Sequence, residues 1–433
     1  MTKKQREGAC LVATRDDATT APARQRLPRE VWVLAAANLV IAAGFGIVAP
    51  AIPMFARSFD VSVTAASFVV SAFALARLVF APLAGKGVSL LGERRIYLSG
   101  LLIVAVSTGA AAFAASYTQL VLFRSFGGIG STMFTVSAIA LLIRVTPAGL
   151  RGRASGLFGA GFLAGNVTGP LLGSGLITIS LRAPFLFYAV LLLVATLLVW
   201  LLLRRSPLIA DVEQQDAPAV RLTDALRDHA YRSALLANFS FGWIVFGVRI
   251  SLIPLFIVEV LRQDEAFAGI AFAVFAAANL VMLMPAGRLA DTVGRKPLVL
   301  IGLVASGAGT AWVGFTDSLT EFLIATVVAG LGSGTLQSPK QAAVADVVGS
   351  QGRGGPVLAT FQMSADIGAI LGPLAAGAIA DQLSYTTAFL VAGALSLVAA
   401  LVWLPARETL PSAAKQRHPS PEQSCELDTR EQQ

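Results

Sequence analysis

Apolar residues in this chain come in long runs, and polar residues come in short clusters between them. A helix needs about 20 mostly apolar residues to cross about 30 Å of hydrocarbon. Six runs meet that need before a hydrophilic stretch, at 31–56, 64–84, 96–115, 119–145, 154–177 and 184–203. Six more follow it, at 233–260, 266–286, 298–316, 321–345, 356–379 and 387–404. The pattern predicts an all-α polytopic membrane protein of twelve spans in two six-helix bundles, 31–203 and 233–404. Polar segments 1–30, 204–232 and 405–433 become an N-terminal tail, a linker and a C-terminal tail rich in Pro, Ser, Gln and Glu that is expected to be disordered. In the linker, Thr223 is placed to cap a short amphipathic turn, DALRDH, on the membrane surface.

Composition agrees with this reading, since 55% of the 433 residues are hydrophobic and 13% are charged. The placement of the basic residues adds an orientation. With the N-terminus inside, 26 of the 33 Lys and Arg fall in inside segments, and the outside loops hold only Arg57, Arg182 and Arg262. Cytoplasmic loops carry such an excess, so both termini are expected in the cytoplasm and the chain in the plasma (inner) membrane. The net charge of +8 is then a signal of topology and not of nucleic-acid binding. The two cysteines, Cys10 and Cys425, and the two histidines, His229 and His418, lie outside the apolar runs. No metal ligand set, nucleophile–base set or nucleotide loop is visible. The expectation is no metal, no cofactor and no enzyme activity.

The chain also repeats. Gly128-Ile-Gly130-Ser returns as Gly330-Leu-Gly332-Ser at an offset of 202. Gly165, Gly169 and Pro170 return as Gly368, Gly372 and Pro373 at 203, and Ile52-Pro53 as Ile253-Pro254 at 201. A six-span unit used twice in parallel predicts a cavity near the bilayer midplane, with halves that rock about it. Gly161, Gly165, Gly169 and Gly173 line one face of span five. With Pro170, and with Gly368, Gly372 and Pro373 of span eleven, they predict a mobile small-residue seam between the halves. Ordinary helix packing is the competing explanation.

Charge inside a span costs about 2.5–3.5 kcal/mol at the bilayer centre, so each instance needs a reason. Arg77, Arg124, Arg249, Lys340 and Asp366 are the candidates. Arg77 and Lys340 are near enough to the inner ends to snorkel. Arg249 has no acidic neighbour in its own helix and is expected to line the cavity. Asp366 is the carboxylate well inside a span, with Gln362 one turn before it, and Glu259 comes next near the outer end of span seven. A carboxylate at membrane depth can exchange a proton near neutral pH, which makes Asp366 and then Glu259 candidates for proton coupling. The alternative for Asp366 is a fixed ion pair with Arg77. Asn38, Phe45, Asn238, Trp243, Phe246, Asn279, Gln337 and Gln362 complete the expected cavity.

Four motifs in register then resemble the major facilitator superfamily over nearly the whole chain apart from its tails. GRLADTVGRKP (287–297) is similar to the loop signature G-x-L-A-D-x-x-G-R-K-x. Arg124-Ser-Phe-Gly-Gly128-Ile-Gly130 is similar to R-x-x-x-G-x-G of span four. Gly165-Asn-Val-Thr-Gly169-Pro170-Leu-Leu-Gly173-Ser resembles the G-x-x-x-G-P-x-x-G-G element of drug:proton antiporters, and Gly44 to Pro53 resembles their twelve-span branch. The resemblance implies a secondary exporter of small drug-like or amphiphilic molecules driven by protons, with Arg124 facing the cavity. A sugar or metabolite importer, or a membrane sensor or enzyme, are the other readings. Substrate, protons and lipid are the expected partners, and a monomer the expected state.

The resemblance also gives the charged loops a role as a cytoplasmic gate. In the second half the set is Gly287, Asp291, Gly294, Arg295 and Asp346. In the first it is Gly85, Ser89, Glu93 and Arg144, where the loop Asp is absent and Glu93 and Arg144 form the same pair with reversed sign. The intact Asp291 is expected to face the start of span five near Arg151 and Arg153. Charged loops that serve topology alone are the competing explanation.

Overall fold

A computed structural model describes residues 27–146, 150–203, 222–348 and 355–410. The tails, most of the linker and the loops at 147–149 and 349–354 lie outside these residues, so the domain expectations there are untouched. Within them every secondary-structure element is helical, and twelve helices are long and apolar enough to span a membrane. Span one is Arg29–Val48 continued by Ala51–Arg57, and span seven runs from His229 to Glu259. An even number of spans puts the two ends of the described chain on one face, here the tail face, opposite the far face.

The helices overrun the apolar limits where the chain turns at the tail face. Span two continues to Leu91 and span eight to Thr292, so most of each motif read as a loop is helix. The turns themselves are made at Gly92 and Gly294, 202 residues apart, with φ of 81° and 124°. Only glycine adopts such φ/ψ values freely, which explains one glycine of each motif. Spans three and nine begin directly after them, at Glu93 and Arg295. At the far face, hydroxyls cap the helices: Ser62 accepts from Ala65 N, Ser116 from Gln119 N and Ser384 from Thr387 N. The short helix Leu222–Arg227 stands where the surface turn is expected, but it begins before Thr223, which lies inside it and is not its cap.

Packing repeats with the sequence. The position of a Cβ on Gly128 falls against Phe73 O, and that of a Cβ on Gly330 lies 2.8 Å from Phe275 O. Gly100 meets Gly130 between spans three and four, as Gly302 meets Gly332 between spans nine and ten. Small residues let these backbones touch, and van der Waals contact then holds them where lipid offers no hydrophobic drive.

The glycine stripes of spans five and eleven correct an expectation. Gly161, Gly165, Gly169 and Gly173 abut the carbonyls of Ala35, Leu39, Ala43 and Ile47 in span one of the same half. Gly368 and Gly372 abut Phe239 and Trp243 in span seven, again the same half. Pro170 rests on Gly46, and Pro373 on Gly247. The stripes therefore weld spans one to five and seven to eleven. Pro170 of the expected seam also reaches across, its carbonyl against Gly269 of span eight, and spans five and eleven pack along spans eight and two of the other half.

Span seven departs from its counterpart. Between Phe241 and Arg249 the helix widens into a π-helix, Gly242–Val248. Asn38 hydrogen-bonds Phe158 O at 2.9 Å and Asn238 hydrogen-bonds Phe361 O at 2.6 Å, equivalent staples 200 residues apart. Gly46 and Gly247, the seats of the two prolines, are 201 apart. Span seven thus carries one extra residue between two fixed docking points, and the wide turn absorbs it.

Candidate functional site

An open cavity of about 120 Å³ lies between the halves. Spans one and five contribute Phe45, Gly46, Ala49, Phe162, Leu163, Asn166 and Pro170. Span seven contributes Phe241, Val245, Phe246, Arg249 and Ile250, residues in or beside the π-helix. Spans eight and ten add Phe272, Phe275, Ala276, Asn279 and Gln337. Among the described residues the wall is largely aromatic and aliphatic with three amides and a single charge, Arg249, the usual make-up of a pocket for organic molecules.

Arg249 is 5% exposed, and its guanidinium carbon lies 3.4 Å from the centre of the Phe275 ring. Its Nε and Nη1 have no hydrogen-bond partner among the described residues. Lys340, 2% exposed, holds its ammonium 3.5 Å from the centre of the Phe241 ring, so its burial excludes snorkelling. Each ring also lines the cavity.

Five expected cavity residues are in the wall: Phe45, Phe246, Arg249, Asn279 and Gln337. Four are not. Asn38 and Asn238 are the buried staples described above, turned toward spans five and eleven. Trp243 stacks beside Phe239 and packs on Gly372. Gln362 instead lies beside Asp366, whose charged neighbour is Arg77 of span two in the other half. Arg124 is also outside the wall: 4% exposed, it lies over Phe73 at 4.5 Å and beside Tyr188 within the first half. Sequence reasoning missed Asn166 and the aromatics Phe162, Phe241, Phe272 and Phe275. Lone aromatics in apolar helices carry no periodic mark of their own.

Glu259 belongs elsewhere. It sits at the far face, 3.0 Å from Arg57 of span one, and accepts a hydrogen bond from Tyr385 at 2.7 Å. There it joins a clasp between the halves. Asp381, at the far end of span eleven, accepts from Val63 N at 3.0 Å and from Thr64 N at 2.7 Å, capping span two of the other half. Ser71 donates to Ile370 O at 2.7 Å one layer deeper, and Gly269 and Gly377 admit the opposing helices closely.

At the tail face Arg144 lies 2.9 Å from Glu93, and Arg295 lies 3.3 Å from Asp346. Each pair ties the start of one helix to the end of the next within its half, with reversed polarity. The side chains of Ser89, Asp291 and Arg151 lie outside the described residues. A Cβ on Gly85 would meet nothing within 4 Å, and one on Gly287 only Ser338 at 3.7 Å. Glu408, beyond span twelve, accepts from Arg295 N at 2.8 Å and from Lys296 N at 3.0 Å, capping span nine next to Gly294.

Two duplicated bundles, welded internally and clasped at one face around a cavity between them, define a multi-pass membrane carrier of small molecules. The chain belongs to the Major Facilitator Superfamily, whose family profile matches residues 34–264 and 250–427. It is 27% identical over 396 residues to the multidrug efflux protein YfmO of Bacillus subtilis (strain 168), covering 88% of this chain and 94% of that one. It is 26% identical over 340 residues to the class E tetracycline resistance protein of Escherichia coli, covering 77% and 83%. The solved structure of a bacterial homologue of the human lysosomal transporter Spinster, inward-facing and unoccupied, has the same fold. Its TM-score is 0.72 at 18% identity, over 88% of this chain and 97% of that one.

Proposed function

We propose that this protein exports small organic molecules, drug-like or amphiphilic, by alternating access coupled to inward proton flow. The observation that carries the reading is the cavity lined by both halves beneath a far-face clasp. The efflux and resistance proteins among its relatives support the direction. The tail face is cytoplasmic in this proposal, in line with its excess of Lys and Arg, and the chain works as a monomer in the plasma membrane. The cavity then opens toward the cytoplasm in the conformation described, ready to load.

Asp366 is the proton-coupling group in this scheme. It faces Arg77 across the boundary between halves, so the pairing changes as the halves rock. Arg124 supports the process from within its half, and Glu259 serves the clasp instead. The charged pairs Glu93–Arg144 and Arg295–Asp346 brace the cytoplasmic gate.

Everted vesicles preloaded with a proton gradient test this directly. Accumulation of a transported dye should collapse when an uncoupler is added, and Asp366→Asn should abolish its pH dependence. Full accumulation after the gradient is gone would overturn antiport. Uptake into intact cells driven by the gradient would favour the importer of sugars or metabolites instead.

A further inference from the structure

We infer that Arg249 anchors the headgroup of an organic anion, so that the cavity takes amphiphilic carboxylates or sulfonates with an aromatic or aliphatic body. This deepens the export reading but rests on it only for direction. Of the four basic side chains at membrane depth, Arg77, Arg124 and Lys340 lie outside the cavity lining. Arg77 faces Asp366, Arg124 is enclosed between Phe73 and Tyr188, and Lys340 lies against Phe241. Arg249 alone lines the cavity with unused donors.

A guanidinium offers five N–H donors in a planar fork. Phe275 covers one face of that plane at 3.4 Å, which fixes its orientation. Nε and Nη1 remain buried and unpartnered, and Nη2, which shares one edge with each of them, makes no hydrogen bond among the described residues either. Either edge, Nε with Nη2 or Nη1 with Nη2, matches the two oxygens of a carboxylate or sulfonate in a bidentate pair. The described lining holds no carboxylate to neutralise the charge. Leaving a buried donor unmade is unfavourable, so the site is completed by a ligand of opposite sign. The positive field of the Arg249 guanidinium disfavours organic cations. The aromatic wall takes the apolar body, and Asn279 and Gln337 offer it further hydrogen bonds.

The test uses three matched fluorescent probes on the full-length protein in nanodiscs: 2-naphthylacetate, the neutral 2-naphthylacetamide and the cationic 2-(2-naphthyl)ethylammonium. The acid should bind at least tenfold more tightly than the amide, and the ammonium most weakly. Arg249→Gln should lose at least tenfold for the acid and leave the amide within about twofold, while Arg249→Lys should fall between. Equal binding of acid and amide, tightest binding of the ammonium, or equal losses for acid and amide in Arg249→Gln would each overturn the anchor. So would an acid that fails to bind below about 1 mM. If Arg249→Gln does not yield folded protein, the wild-type ranking decides. Binding is read without a gradient, so the two readings fail separately. Anion binding without export refutes export alone, and export indifferent to charge refutes the anchor alone.

Discussion

Glu93 and Arg144 stand where Arg295 and Asp346 stand 202 residues later, with the signs exchanged. Attraction is blind to which partner carries which charge, so a pair can be inverted in one repeat without changing the joint it makes. That inversion was legible in the sequence once the offset was known. The double substitution Glu93→Arg with Arg144→Glu should therefore keep transport, while either change alone should impair it and lower thermal stability by about 1 kcal/mol. Equal impairment in the double variant, read by efflux and by melting of the purified protein, would refute the joint. Asn38 and Asn238 show the opposite case. A polar residue in an apolar helix advertises itself in sequence, but not whether it faces the cavity or a neighbouring carbonyl. Both readings satisfy the same amide, and only the helix rotation decides. Arg124, expected in the cavity but enclosed against Phe73, shows the same limit: burial and depth can be guessed from position along a span, azimuth cannot.

Helix number and order were legible because length in hydrocarbon leaves few alternatives. Helix ends were less so. Amphipathic ends such as GRLADT look like loops to a hydropathy criterion, yet they continue the helix beyond the apolar limit. The π-helix of span seven was hidden in a discrepancy of one residue between offsets of 200 and 201, too small to separate from noise without the staples at both ends. The segment after span twelve carries its own signal. Arg407 pairs with Asp228 at the start of span seven, and Glu408 caps span nine, so this strap fastens three helix ends together. Partial burial pushes the Glu408 carboxyl up, but backbone N–H groups of Leu410, Arg295, Lys296 and Thr409 outweigh it and hold it below its ordinary range. A lowered carboxylate stabilises the fold above its unfolded value and loses that contribution as pH falls through its folded value. Glu408→Gln should cost about 0.3–1 kcal/mol at neutral pH. The gap to wild type in a melting series should close once the pH drops below the ordinary carboxylate range. A gap that persists unchanged at acid pH would assign the cap to neutral hydrogen bonding alone.

At the scale of the whole molecule, the halves meet through a clasp whose parts come from distant sequence: Asp381 reaches Thr64 over 317 positions, and Arg57 reaches Glu259 over 202. No local pattern marks such contacts, which is why the sequence gives the two bundles but not the face on which they close. The welds within each half and the clasp between them make separate demands, so the clasp can weaken while the bundles stay intact. Asp381→Ala should shift the population toward a far-face-open state without lowering yield, the lost cap being worth about 0.5–2 kcal/mol. Spin labels at exposed Thr118 and Asp317 should report a longer distance component in that variant. An unchanged distance distribution would show that Arg57 and Glu259 hold the face closed unaided. The lone cation in the cavity wall has a consequence of another kind, electrical rather than structural. A carrier that sends one monoanion out for each proton admitted moves the equivalent of two positive charges inward per cycle. At about 2.3 kcal/mol per charge for each 100 mV, an inside-negative potential supplies about 4.6 kcal/mol to that turnover. A neutral substrate would draw half as much, so under the proposed antiport the sign of one buried side chain would set how strongly transport is driven by voltage.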